Sequence, residues 1–350
     1  MMAALISLSA AGLIEKDNNG DVLWTWSYPS ISSNKKKLLM RKCCLSQDGA
    51  IILPFVYGQY QREWFYIMTV PVENGSALKK VKHFSFILLA KDFNPEKYQT
   101  LSEILCRVYH TTGNAATILK GYLSVITKGT CPSENNGTFV AQDFDAKKAY
   151  ATGCVVDVIN SFGLESILIY TALLLKKKIV VYHSRIEEVI KFIRALPCLV
   201  WHRQNWSILH PYVHMEEEEL EDLRTGPAYV AGFVDAAVEN DTELYDLFVN
   251  LSTDEITVAT HAKDMFTMSR IHKDIAQLMV RCAGDDSMSN LQVIKEISKK
   301  TGELLNNLKS LSENEDDPKI TLERLKERKL PPATEGFLFG IAAAEGLVQM

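Results

Sequence analysis

Few residues in this chain have side chains at spacings that could do chemistry. His210-Pro211-Tyr212-Val213-His214 places two histidines four apart, the spacing that sets two metal ligands on one helix face, with His202 and Glu216 close by. Pro211 interrupts a helix there, so that geometry fails and the histidines read as ordinary surface or core residues. Glu216–Glu219, with Glu221 and Asp222, could collect a cation, but after Met215 they read as the solvated first turn of a helix. Asp143 and Asp145 flank Phe144 and could form a carboxylate couple for acid/base work. With no pocket legible around them, helix capping is the better reading. Cysteines and histidines are scattered without informative spacing, and Cys43-Cys44 is adjacent rather than a CxxC pair. Phosphate-loop, dinucleotide-fold, zincin, esterase and kinase signatures are all missing from the sequence. No catalytic residue, metal or cofactor is expected.

A second group of residues suggests binding without bond-making. Trp201, Arg203 and Trp206 surround His202 and Gln204-Asn205. Trp and Arg are favoured interface anchors, and large aromatics are equally at home in a core, so both readings stand. Lys35–Lys37, with Arg41 and Lys42, is the densest basic patch. It reads as a solvated helix face; so small a patch attracts anionic lipid only weakly.

The composition limits the classes of function. The chain has 350 residues, 47% hydrophobic and 23% charged, with a formal net charge of −5. That is ordinary for a globular protein of about two domains, and it offers no basic footprint for nucleic acid. An odd count of seven cysteines argues against a secreted disulfide framework and for a reducing cytosol. Met1–Ile14 is uncharged but lacks a basic n-region and runs into a hairpin, so it reads as structure and not as a signal peptide. No uncharged run reaches the roughly 18–20 residues of a membrane span, leaving at most peripheral membrane contact.

The elements that position these residues centre on Thr171–Asp235. A helix over Leu164–Leu175 ends on Lys176-Lys177-Lys178, and Ile179–Tyr182 reads as a short, buried strand. Ser184 is the expected N-cap of the next helix, with Glu187 at the capping-box position. That helix presents Ile186, Val189, Ile190, Ile193 and Leu196 on one face and ends at Pro197; Tyr229-Val230-Ala231 reads as the following strand.

Upstream, strands are expected over Leu5–Ile14 and Asp21–Tyr28, joined by Asp17-Asn18-Asn19-Gly20. More follow over Ile51–Tyr57, Trp64–Val70 and His83–Ala90, with helices over Lys35–Leu45, Glu96–His110 and Ile118–Ile126. The polar stretch Thr130–Asp145, containing Asn135-Asn136-Gly137, is the expected interdomain linker. Downstream, a strand pair over Leu244–Leu251 and Glu255–Ala259 precedes helices over Ala262–Cys282, Leu291–Leu311, Ile320–Arg328 and Thr334–Gln349. Ser312–Lys319 is acidic and is expected to be a loop.

This order of features resembles the DENN-domain family: helix, basic turn, IVVY strand, capped helix, LPCLVWH, an aromatic-to-Pro segment, then YVAGFVD. GLIEKDNNGDVLWTW, FNPEKY, DFDAKKAY and PPATEGFLFGIAAAE extend the likeness over nearly the whole chain, towards a small, divergent subclass. No single motif is diagnostic; the ordered set is. The resemblance implies an α/β fold in two lobes: a longin-like α+β lobe over 1–130, a linker over 131–142, a central α/β lobe over 143–260 and a helical part over 261–350. It also implies guanine-nucleotide exchange on a Rab GTPase held across the lobes, an activity that needs no catalytic side chain. The exposed-looking Ser184, Arg185, Trp201, Arg203 and Trp206, with Lys35 from the longin lobe, are the expected Rab-facing residues. The alternative is a non-catalytic adaptor on a coiled-coil endosomal recycling scaffold of the Commander type. The resemblance places either one in the cytoplasm, peripherally on late endosomes. No further module is legible, which favours recruitment by partners.

Overall fold

A computed structural model describes residues 7–46, 52–73, 76–133, 137–312 and 319–348. The chain divides into two compact units, Met1–Ala149 and Tyr150–Met350.

The first unit runs β1 (Leu8–Asp17), β2 (Val22–Tyr28), α1 (Ser33–Lys42), β3 (Phe55–Tyr60), β4 (Glu63–Pro71), β5 (Val81–Ala90), α2 (Pro95–Thr112) and α3 (Ala115–Lys128). Its sheet is antiparallel in the order β2-β1-β5-β4-β3. The β1–β2 hairpin forms where the sequence implies it: Asp17 Oδ1 accepts the Asn19 and Asp21 amides, and Gly20 takes φ +99°. Asn94 caps α2 by accepting the Lys97 amide at 3.2 Å, with Pro95 in the first turn and left-handed Gly113 after the last. Tyr98 of α2 then packs against Tyr66 of β4, ring centroids 4.5 Å apart and planes tilted by 32°. Inward on α2 lie Leu101, Leu105 and Tyr109, whereas Val108 is only half-buried. The expected strand at Ile51–Tyr57 starts outside the described residues; the observed one is β3. The stretch read as a linker holds a small hairpin, β6 (Thr130–Ser133) with β7 (Gly137–Val140), while Asn135-Asn136 lies outside the described residues. Past it, Asp145 Oδ1 accepts the Lys147 amide at the start of α4 (Ala146–Ala151), the capping role expected of it.

The second unit opens with α5 (Val155–Phe162) and α6 (Ser166–Leu174), followed by β8 (Ile179–Tyr182), α7 (Ile186–Ala195), β9 (Leu209–Val213), α8 (Glu217–Arg224), β10 (Val230–Phe233), β11 (Leu247–Asn250) and β12 (Glu255–Val258). Helices α9 (Arg270–Ala283), α10 (Asn290–Lys309), α11 (Leu322–Glu327) and α12 (Pro332–Ala344) complete it. The sheet order is β12-β11-β8-β10-β9, with β8 parallel to β10 and β11, β9 parallel to β10, and β12 a hairpin partner of β11. IVVY therefore sits in the middle, with Ile179, Val180 and Val181 fully buried. Helix α7 lies close on the sheet at Gly232, where a Cβ would come within 2.3 Å of Val189 and 2.6 Å of the Pro211 carbonyl oxygen.

Three features differ from expectation. Segment 209–213 is a strand, and Pro211 is tolerated because β9 is an edge. The long helix expected over Ala262–Cys282 is a 3₁₀ segment (Thr260–Phe266) followed by α9, restarted by a capping box between Ser269 and His272. The run Ala146–Leu174 is apolar enough by length and composition to cross a membrane. It is broken into three helices, with Gly163 at φ +53° before the last, and α6 buries every residue except Leu168.

Candidate functional site

The residues expected to face a partner cluster on the loop after β8 and on the segment after α7. The loop after β8 is His183-Ser184-Arg185. Here the expected cap is corrected: Arg185, not Ser184, holds the N-cap position, and no side chain caps the helix. His183 Nδ1 instead accepts the Arg185 amide at 3.0 Å, closing the turn that a serine cap would have closed. Ser184 is left exposed. The Arg185 side chain, 52% exposed, pairs with Glu188 and lies 3.4 Å from Glu187. Glu187 therefore serves the arginine and does not reach back to the chain as a capping-box acid.

This loop forms one wall of a cleft of about 410 Å³ at the C-terminal ends of β8 and β11. Cys154, Asp157 and Ser161 of the α5 region face Arg185, Glu188 and Lys191 across it, with Leu251 and Asp254 closing the side. Lys191 bridges to Asp157 at 2.9 Å, and that hydrogen bond is the main cause lowering the Asp157 carboxyl and raising the Lys191 amine from their ordinary values. Clefts outside the carboxyl ends of parallel strands are the usual binding places of such sheets.

The second group behaves differently. Leu196–Arg203 is a 3₁₀ segment that packs its apolar residues inward. Trp206 is buried at 2% exposure, stacked on Tyr150 with centroids 4.1 Å apart and planes 4° apart, and its indole N–H donates to the Arg194 carbonyl at 3.3 Å. The expectation that it is exposed is overturned. Arg203 is likewise largely withdrawn, its side chain 15% exposed. Its guanidinium donates to the carbonyls of Leu173 and Leu174 at 2.6 and 2.7 Å, at the C-terminal end of α6. The same group holds Glu345, just past α12, with Nε 2.9 Å from Oε1. His202 Nε2 approaches that oxygen to 3.1 Å. Burial pushes the Glu345 carboxyl up, but the hydrogen bonds from His202 and Arg203 and their charges outweigh it, holding the group at about 2. Arg203 is thus a structural clamp between two helix ends. Trp201 stands between the two cases, half-buried and edge-on to Trp206 at 5.9 Å.

In the first unit Lys35 pairs with Glu63 at 2.6 Å, both side chains about four-fifths covered, so it is less available than its place in a basic run implies. The histidine pair at 210 and 214 lies on and just after β9, so no helical face brings the two together. His214 lies 3.5 Å from Glu219 of α8, whose other oxygen accepts the His214 amide, and that glutamate is buried instead of solvated.

Comparison with known proteins agrees with this architecture. Residues 153–260, spanning α5 through β12, match the family model described as SPA, Stabilization of polarity axis. The whole chain is 51% identical over 349 residues to DENN domain-containing protein 10 of Danio rerio, covering all of both chains. It is 49% identical over 357 residues to the Mus musculus protein, again over all of both. Identity with the Dictyostelium discoideum protein is 40% over 365 residues, with 99% of this chain and all of that one covered. An antiparallel α+β unit followed by an α/β unit that ends in helices is a DENN module, and the chain belongs to the DENN family. Within that family it falls with the DENN domain-containing protein 10 group, from vertebrates to an amoeba.

Proposed function

We propose that this chain is a guanine-nucleotide exchange factor for a Rab GTPase, acting peripherally on late endosomes in vesicle trafficking. One observation carries the reading: full-length kinship with DENN proteins, a family in which Rab exchange is common. Exchange requires no reactive side chain. A factor that binds the nucleotide-free GTPase best must, by linkage, weaken nucleotide affinity by the same coupling factor. In the GTPase this means disturbing the switch loops and magnesium that hold the nucleotide. The exposed Ser184-Arg185 loop and the half-exposed Trp201 supply partner contacts, with Lys35 as a lesser one. Arg203 and Trp206 act beneath that surface, holding the 3₁₀ segment in place.

The test is release of fluorescent GDP from a panel of purified Rabs, free and tethered to liposomes. Dose-dependent release from one or two of them, lost in Arg185→Glu, supports the proposal. Unchanged release across the panel removes it.

A second reading, a non-catalytic adaptor on a coiled-coil endosomal scaffold, draws on a groove of about 620 Å³ along α12. Leu175, Met265 and Phe337 line it with Gly336 and Gly340, and small residues of this kind let a helix approach closely. A Cβ at Gly336 meets nothing within 4 Å, so Gly336→Leu fills the groove without disturbing the fold. Loss of scaffold pull-down in that variant, with Rab exchange intact, separates the two roles.

A further inference from the structure

Each of the two five-stranded sheets ends in two edges, and three of these four edges are blunted against further pairing. β9 contains Pro211, which has no N–H to offer, and its register with β10 is irregular between Ala231 and Phe233. β12 has only four residues and begins on Glu255. β3 is buried from Val56 to Gln59. β2 has neither the proline of β9, the short length of β12 nor the buried run of β3. It is seven residues long, VLWTWSY, without charge or proline, and it leaves Leu23 62% and Tyr28 42% exposed. No backbone group of residues 22–28 bonds outside the ladder with β1. An antiparallel edge strand turns about every second residue's N–H and C=O outward, so β2 presents a row of open donors and acceptors.

The flanking charges indicate what would cover that row. Lys36 of α1 holds its ammonium 5.3 Å from the Trp24 ring centroid, and the neighbouring Lys37 is exposed. Of the nearby acids, Glu15 is engaged by Tyr109 and by Thr25 and Asp17 by the Asn19 and Asp21 amides, leaving Asp21 at the start of the strand. A second copy of the chain would bring the same lysines towards each other. We propose that the outer edge of β2 binds an extended, acidic peptide segment of a partner protein as a sixth strand, main-chain bonds supplying affinity and Lys36 and Lys37 selecting acidic side chains. Ile14 pairs with Trp24 and Leu13 with Trp26, so Thr25 is the extra residue of a bulge. The bulge bends this edge, which suits a short segment and opposes open-ended stacking of long flat strands.

The test uses the full chain and a labelled peptide of about seven residues, a typical strand length, alternating valine and glutamate, followed by fluorescence anisotropy. Saturable binding is expected, with hydrogen-exchange protection of the 22–28 amides. Methylating every second peptide nitrogen, in either phase, should weaken it roughly tenfold or more in the phase that removes ladder bonds. Replacing the glutamates by lysines, or introducing Lys36→Glu with Lys37→Glu, should do the same, with an unchanged thermal melt for the protein variant. Equal binding of both methylated peptides, equal binding of the lysine peptide, or no binding at all overturns the proposal.

Discussion

Arg185 and Arg203 are the same residue type, both expected at a partner surface, and the fold uses them in opposite ways. Arg185 finds its acids within its own helix, on Glu187 and Glu188, and stays half in water. Arg203 finds its partners far along the chain, at Leu173, Leu174 and Glu345, and is withdrawn from solvent. A planar five-donor fork can cap a helix end as readily as it can recognise a partner. An arginine beside tryptophans is therefore not in itself an interface signal. What separates the two cases is whether the fold brings acceptors from remote positions to the guanidinium.

The comparison can be broken by mutation, with the largest effects on the buried side. Trp206→Ala removes a stacked, hydrogen-bonded indole from the core and should cost about 3–5 kcal/mol in chemical denaturation. Arg203→Ala removes the arginine's hydrogen bonds to the Glu345 carboxylate and to two helix-end carbonyls, and should cost about 2–4 kcal/mol. If either variant melts like the parent, the clamp is wrong.

Acid titration sharpens the same point. Glu345 is held at about 2 in the folded chain, below its ordinary 4.5. The unfolded chain takes up that proton first as pH falls, so the contribution is complete above about 4.5 and is lost towards about 2. Glu345→Gln should flatten the fall in stability through that window, measured by urea midpoints at successive pH values. Lys35→Ala, breaking a partly covered pair, should cost about 1 kcal/mol at most. Arg185→Ala should lie within about 0.5 kcal/mol of the parent in stability. Its effect should appear in GDP release, a reversal of rank that a merely structural role would not give.

Local patterns were read well wherever they settled the structure. The IVVY strand, the Asp17–Gly20 turn, the Asn94-Pro95 helix start and the Glu217–Glu219 first turn all stand where short-range chemistry puts them. Misreadings arose where two local solutions compete. Ser184 is an acceptable cap, but His183 beside it closes the turn first. Pro211 rules out a helix there but not an edge strand, and periodicity does not reveal which strand lies at an edge. Of the candidate site, the exposed Ser184-Arg185 loop was legible because its partners lie within a few residues. The burial of Trp206 was not, because the ring it stacks on belongs to Tyr150.

The sequence by itself determined most element types, the succession of an α+β part and an α/β part, and the family. These follow from residue periodicity, turn chemistry and the order of motifs, all properties of neighbours along the chain. Only the tertiary structure decided which polar residues are spent on the fold. Burial and hydrogen-bond satisfaction depend on groups brought together from remote positions, as Arg203 is with Glu345. The same holds for the open edge of β2, whose exposure is a property of sheet order and not of its seven residues.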